Sequence, residues 1–432
     1  MLWFWVQRTL LSGNPRTDPS KRTLTGYLLD RGPTRFRKSW SDNLCQAASD
    51  RTMRMTETSA AFIPAPMEGH GGYNRGSRVQ AAGASKAVPL FARAANTVPL
   101  ADAQETIVIA DYGSSEGRNS LSPIAAAIRA LRDRVGLERA ISVVHTDLPD
   151  NDFQTLFQTL ANDPDSYLRG DPAVFASAIG RSFYQQLLPS CSVTLGWSSW
   201  AVQWLSRTPS SIPDHVQVAY SHNAAARAAF TKQSADDWRT FLMSRGRELR
   251  PGGTLVVQTM ALHDNGDFGY RGVLEAMCAA LKSLCDEGFI SAEELRRMTI
   301  PTVGRSRADI AAPFSPNGRF ADLVMEHVEV FDGDDRIWRE FERNRDAAEF
   351  GAQWAIFSRA SVFPTLARSL KGGPTDPRAP AFFGKLEAGM AARLSMAPGQ
   401  MDIPLASVVL VKETAQARST QASADSAANT GP

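Results

Sequence analysis

Three short stretches of the chain carry residue types that could do chemistry. The first is Ile109-Ala-Asp-Tyr-Gly-Ser-Ser-Glu-Gly-Arg-Asn-Ser-Leu121. An apolar run meets a turn holding Gly113 and Gly117, then a helical pattern begins. Gly113 permits a sharp turn and close approach of a ligand. Small residues after it leave room for an elongated cofactor at the carboxyl end of a sheet. The stretch is neither G-x-G-x-x-G nor a P-loop, so phosphate cradling has little support. The same residues read as G-x-S-x-G, which would make Ser115 the nucleophile of an α/β-hydrolase elbow. That reading needs an acid and a histidine downstream. It is weakened because an elbow normally follows several strands, and this turn follows the first convincing one.

The second stretch is His145-Thr-Asp-Leu-Pro-Asp-Asn-Asp-Phe153. Asp147 ends a second apolar run, where an acidic residue can bond ribose hydroxyls. It lies 34 residues after Gly113, beyond the usual spacing of about 20, which a longer intervening helix accommodates. Asp147, Asp150 and Asp152 also form a loose acidic loop, but without the EF-hand spacing of a calcium site. The third stretch, Leu249-Arg-Pro-Gly-Gly-Thr-Leu255, is a turn between a helix and a strand. In this order the three fit a nucleoside-dependent methyltransferase: glycine loop, acid, then Pro-Gly-Gly turn.

The elements that must position these residues alternate. Strands are expected at TIVIADYG, AISVVHTDLP, CSVTLGWSS and TLVVQTMA, with amphipathic helices between them and a short helix opening at AVQWLSRTP. The β-α-β-α order predicts an α/β fold with a doubly wound, mostly parallel sheet. After about residue 262 the periodicity is helical, with a return to the sheet near 318–331 and a late strand in MDIPLASVVLVK. The expected organisation is an α/β core over 61–262, a mainly helical cap over 263–385 and a final core strand region over 386–412. Residues 1–60 read as a disordered basic leader, or as upstream sequence from a mis-assigned start, since Met53 and Met55 offer later ones. Residues 413–432 read as a disordered Ala/Ser/Thr-rich tail.

Composition excludes other classes. The 432 residues are 43% hydrophobic and 21% charged with a net charge of +2, so neither wholesale disorder nor nucleic-acid binding is indicated. Residues 1–54 hold ten Lys/Arg against four Asp/Glu, a local +6 that leaves −4 over the rest. No apolar run reaches the ~18 residues of a membrane span. Four cysteines exclude a disulfide scaffold and point to a reducing, cytoplasmic setting.

Five blocks in order resemble the plant carboxyl methyltransferases of the salicylate, benzoate and theobromine type, over roughly residues 66–412. They are Met67-Glu-Gly-His-Gly-Gly-Tyr-Asn-Arg-Gly-Ser-Arg-Val-Gln80; the glycine loop; Asp147-Leu-Pro-x-Asn-Asp-Phe followed by Gly180-Arg-Ser-Phe-Tyr184; Trp197-Ser-Ser-Trp-Ala-Val-Gln-Trp-Leu-Ser206; and Asp236-Asp-Trp-Arg-Thr-Phe-Leu with Arg247-Glu-Leu-x-Pro-Gly-Gly253. The resemblance implies a Rossmann-like class I methyltransferase sheet with an inserted α-helical cap, S-adenosyl-L-methionine as cofactor, a small carboxylic acid as acceptor and a homodimer. It places Tyr73, Ser77, Asp111 and Gly113 around the methionine part of the cofactor. It puts Asp147 on the ribose and Leu148, Ser182 and Phe183 beside the adenine. Gln80 and Trp204 would bond the acceptor's carboxylate, with Trp200 on the pocket wall. Trp197 and Gly76 depart from the family's His and Asn, which leaves the acceptor pocket open to difference. A carboxylate is already ionised at neutral pH, so no catalytic acid, base or metal is expected and alignment does the work. Methylation of a ring nitrogen remains an alternative. It would need a base or an acidic N–H, which Trp200 or His222 near the acceptor could signal.

Overall fold

The computed structural model describes residues 64–414 apart from 101 and 103. The leader expected over 1–60 and the tail from 415 lie outside the described residues. The elements form one α/β layer structure around an eight-stranded sheet in the order β3-β2-β1-β4-β5-β8-β7-β6. The strands are β1 (Ile107–Tyr112), β2 (Ile141–Asp147), β3 (Val174–Gly180), β4 (Val193–Ser199), β5 (Leu249–Met260), β6 (Arg319–Phe320), β7 (Leu323–Asp332) and β8 (Pro404–Lys412). The first five are parallel, and β8, β7 and β6 continue antiparallel. The order in which successive strands are added reverses between β1 and β4, where Rossmann-like folds open a crevice beyond the strands' carboxyl ends.

The strands read as continuous apolar runs because both faces are covered. Ile109, Leu195, Val256 and Val409 join one buried cluster, with the helices Ala87–Thr97 and Arg118–Val135. Ala110, Leu255, Val408 and Leu410 join another, with the helix Ala224–Glu248. A third cluster fills the helical region around Leu281, Trp354, Phe363 and Leu386. Side-chain caps start several helices: Asp152 accepts from Thr155 N at 2.9 Å, and Asn223 from Ala226 N at 2.9 Å, each satisfying an orphan N-terminal N–H.

Two local readings of the sequence differ from the structure. CSVTLGWSS is the fourth strand, because β3 precedes it. β3 is an edge strand with Phe175 57% exposed, so it lacks the unbroken burial that marks its neighbours. The helix expected at AVQWLSRTP is absent. Trp204 instead makes an isolated bridge to Thr302, Leu205 N donates to Pro301 O and Val303 N to Gln203 O. Pairing with residues 301–303 claims the backbone groups a helix would need. Among the described residues no helix is long and apolar enough to cross a membrane.

Candidate active site

A cleft of about 1060 Å³ opens at the carboxyl ends of β1 to β4. Each strand delivers its residues through the turn that follows it. β1 supplies Gly113 and Ser115, β2 Asp147 and Leu148, β3 Ser182 and Phe183, and β4 Trp200 and Ala201, while Pro64–Met67 and Tyr73 close the near side. Gly113 has φ 92° and a Cβ there would stand 2.4 Å from Ala201 Cβ. Only glycine fits both the turn and the contact.

Asp147 is held by two backbone donors, Ser115 N at 2.7 Å and Leu148 N at 2.8 Å. Burial pushes its carboxyl up to about 6, opposed by those two N–H groups and assisted by the charge of Asp111. Each oxygen keeps a lone pair for a further donor, as a pair of ligand hydroxyls would offer. Asn151 Nδ2 donates to Ser115 O at 2.9 Å, tying the loops after β1 and β2 together.

Six of the eight residues expected around the cofactor line this cleft: Tyr73, Gly113, Asp147, Leu148, Ser182 and Phe183. Asp111 does not line it. It is 1% exposed and its Oδ2 lies 2.8 Å from His145 Nδ1, whose Nε2 lies 2.7 Å from Tyr167 OH. The cause is register: Asp111 and His145 are partners on adjacent parallel strands, so both side chains share one face under the loop. Ser77 does not line the cleft either. It is 1% exposed and its hydroxyl has no partner among the described residues.

The hydrolase reading fails on geometry. Ser115 Oγ has no hydrogen-bond partner among the described residues, while His145 is engaged by Asp111 and Tyr167. A serine without a base in reach is a weak nucleophile.

A second cavity, about 620 Å³, lies beneath the helical region. Gln80, Trp200 and Trp204 all line it, with Met260, Phe268, Met277, Ile300 and Phe357 among its apolar walls. Among the described residues no Asp, Glu, His, Lys or Arg does. Gln203 is committed to Trp200 O at 2.7 Å and Thr259 Oγ1 at 3.1 Å, and Gln217 to Thr302 Oγ1 at 2.8 Å. Gln80 Oε1, Trp200 Nε1 and Tyr270 OH are buried without partners among the described residues. The two cavities share Met67, Tyr73, Trp200 and Trp204, so a group in one can face a group in the other there. The two departures noted in the sequence find local reasons. Trp197 points away, packing on Phe91 with ring centroids 5.1 Å apart. Gly76 sits where a Cβ would come 2.6 Å from Ala360 Cβ.

Several supporting residues lie in or beside the quoted stretches without a role assigned to them there. Glu116, 1% exposed, accepts from Gly71 N at 2.6 Å and Asn74 N at 2.9 Å, so the loop after β1 caps the helix Gly72–Gly76 that carries Tyr73. Burial raises its carboxyl above the usual range. Arg245 and Glu248, both fully buried, brace the irregular wall after β3. Arg245 donates to Phe183 O at 2.7 Å and Gln185 O at 2.8 Å. Glu248 accepts from Leu187 N, Leu188 N, Tyr112 OH and Arg245. The signal was available in the helix-end Arg-x-x-Glu before the Pro-Gly-Gly turn, since a charged pair three residues apart on an apolar helix face must satisfy itself within the core.

The family described as "SAM dependent carboxyl methyltransferase" matches residues 62–394. "Methyltransferase FUS9" of Gibberella moniliformis (strain M3125 / FGSC 7600) is 30% identical over 247 residues, 57% of this chain and 66% of that protein. "Salicylate carboxymethyltransferase" of Clarkia breweri is 28% identical over 234 residues, 52% of this chain and 63% of that protein. The chain thus spans about two thirds of the length of these curated relatives. Among solved structures, "Loganic acid methyltransferase with SAH" shares the fold, with a TM-score of 0.65 at 20% identity over 81% of this chain and 99% of that one.

Proposed function

We propose, because the chain belongs to the family of SAM-dependent carboxyl methyltransferases, that it methylates the carboxylate of a small organic acid to a methyl ester. The observation that carries this reading is the junction of the two cavities at Met67, Tyr73, Trp200 and Trp204. One cavity has the donors and acceptors of a nucleoside site and the other has apolar walls with uncharged polar tips.

The residues present fit the cofactor. Asp147 offers charged acceptors to ribose hydroxyls, Leu148 and Phe183 offer apolar faces to a base, and Gly113 leaves the space a Cβ would fill. The orphaned hydroxyl of Ser115 is a further polar atom in that cleft. Bound S-adenosylmethionine supplies an electrophilic methyl group. The chain's own task is alignment. An acceptor carboxylate with a pKa near ~4 arrives ionised, so no base is needed. Gln80 NH2 and the indole N–H groups of Trp204 and Trp200 donate to it without neutralising it. A half-turn of the Gln80 amide presents nitrogen in place of oxygen without changing its shape. The apolar walls of Met260, Phe268 and Ile300 exclude water from the nucleophile. Holding the reacting groups in line in this way contributes up to ~7–11 kcal/mol.

Transfer to a ring nitrogen fits less well, since among the described residues no Asp, Glu, His or Lys lines the acceptor cavity. Of the two residues that could signal it, Trp200 lines the cavity but its indole N–H is no base, and His222 is exposed, with its backbone N bonded to Asp214 at 2.7 Å. The reading also includes a cytoplasmic homodimer. The free thiols of Cys191, Cys278 and Cys285 suit a reducing compartment, and analytical ultracentrifugation of the purified chain would test the dimer by its mass in solution.

Incubation with methyl-labelled S-adenosylmethionine and a panel of aromatic, indolic, terpenoid and fatty acids, read by mass, should yield a labelled ester. Absence of ester from every acid would sink the activity. Trp204→Phe should raise the acceptor KM or lower kcat by about tenfold, the weight of one hydrogen bond to a charged group. Cofactor affinity should survive, measured by titration with S-adenosylhomocysteine. Wild-type turnover in this variant would remove Trp204 from the carboxylate clamp.

A further inference from the structure

Tyr270 stands at the start of the helix Arg271–Asp286 with φ 60°, a left-handed conformation that a bulky residue adopts only under constraint. It is 3% exposed, lines the acceptor cavity, and its hydroxyl has no partner among the described residues. The ring is well accounted for, since it stacks on Phe357 at 6.3 Å and 6°. The oxygen is not, because phenylalanine would fill the same space. A buried hydroxyl without a partner is costly, and Tyr270 is strained as well, which together mark a group kept for a ligand.

We propose that Tyr270 determines acceptor specificity, its hydroxyl bonding a second, uncharged polar group on an acid whose body is otherwise apolar. The inference rests on the carboxyl-transfer reading. Position separates this role from that of the carboxylate clamp. Trp200 and Trp204 line both cavities, so they surround the reacting end. Tyr270 comes from the helical region and packs between Phe268 and Phe357, none of which lines the cofactor cleft, so it meets the acceptor away from that end. The chemistry of the partner group follows from the surroundings. Burial, with the charge of Asp335 nearby, holds the phenol well above its ordinary value. Asp335 is itself engaged by Trp338 N and Met401 N, both at 2.9 Å. Tyr270 therefore stays a neutral hydroxyl, able to donate to a carbonyl or hydroxyl oxygen and to accept from a hydroxyl. With no charged side chain among the described residues of the cavity wall, a second ionised group on the acceptor would be buried without a counter-charge. The acceptor class is thus a monocarboxylic acid carrying a hydroxyl or carbonyl at a distance from its carboxylate.

The test uses matched acids differing by one hydroxyl, in benzoate, cinnamate and indole-acetate series, with the full chain and S-adenosylmethionine. Wild type should prefer a hydroxylated member over its parent by about tenfold or more in kcat/KM, because the parent leaves Tyr270 unpaired. Tyr270→Phe should erase the preference by losing activity on the hydroxylated acid alone. An equal loss on both members, or no loss on either, overturns the assignment. Should the variant not fold, calorimetric titration of the same acid pairs into the wild-type complex with S-adenosylhomocysteine decides, and equal affinities within every pair overturn it. Failure of the wider reading looks different: S-adenosylhomocysteine binds, yet no acid in any series is methylated or bound.

Discussion

Asp147→Ala is expected to raise the KM for S-adenosylmethionine by about two orders of magnitude. The carboxylate is the charged group in the cofactor cleft, and each charge-assisted hydrogen bond it would make to a ribose hydroxyl contributes ~1.5–3 kcal/mol. Its two backbone donors, Ser115 N and Leu148 N, lose their acceptor in the variant, but they face the cleft and can turn to water. The melting point should therefore move by only a few degrees. Initial-rate kinetics with varied cofactor checks the first effect, and a KM within threefold of wild type would remove Asp147 from the ribose. A pH profile adds an independent measure. With the carboxyl raised to about 6 by burial, kcat/KM for the cofactor should fall as pH drops through that value, because the protonated form loses its charge and an acceptor. Stability runs the other way. The folded state binds this proton more tightly than the unfolded chain does, so the contribution of Asp147 to stability is fully present below ~3.9 and lost as pH rises through 6. Cofactor binding and fold stability should thus respond to mild acid with opposite signs at this residue.

Arg245→Met is the substitution with the largest expected effect on folding. Arg245 and Glu248 are each 0% exposed, and removing one member of a buried pair typically costs ~3–5 kcal/mol because the other charge is stranded. For a chain of this size that lowers Tm by roughly 4–7 °C. The carbonyls of Phe183 and Gln185 lose their donor at the same time, so the wall of the cofactor cleft loosens and the KM for S-adenosylmethionine should rise in the fraction that folds. Thermal melts of the single variant and of Arg245→Met/Glu248→Gln separate the causes. The double variant should recover a large part of the loss, since no charge is left unpaired. Equal destabilisation in both would mean that lost packing over the Tyr112 ring, 4.1 Å from the guanidinium, dominates.

What the sequence made legible follows the way a parallel sheet presents its groups. Strand ends lie side by side at one edge, so Gly113, Asp147 and Trp200 could be assigned to one rim from chain order alone. Which side chain faces the cleft depends on parity and register, which chain order alone does not give. Aligning the ends of IADYG and VVHTD puts Asp111 opposite His145, and its carboxylate lies 2.8 Å from that ring. The cofactor residues come from short blocks whose spacing is fixed by turns. Much of the acceptor wall does not. Phe268, Tyr270, Met277, Ile300 and Phe357 come from three separated stretches of the helical region, and their convergence is a matter of helix packing, which no local pattern encodes. Even Tyr270, with its left-handed backbone, looks in the sequence like an ordinary aromatic residue beside a glycine.

The position of β8 has a consequence for how the chain is made. It pairs with β5 from Thr254 to Met260 on one side and with β7 from Leu323 to Asp332 on the other. While a ribosome is still adding residues short of 404, β5 and β7 each present an open edge of unpaired N–H and C=O groups. The nascent core can assemble β1 to β5 early, but the sheet is split until residues 404–412 slide between its two parts. Closure joins partners about 150 residues apart in sequence at its widest, a slow kind of contact to form. The interval before closure is when the growing chain has most need of protection from pairing with its neighbours.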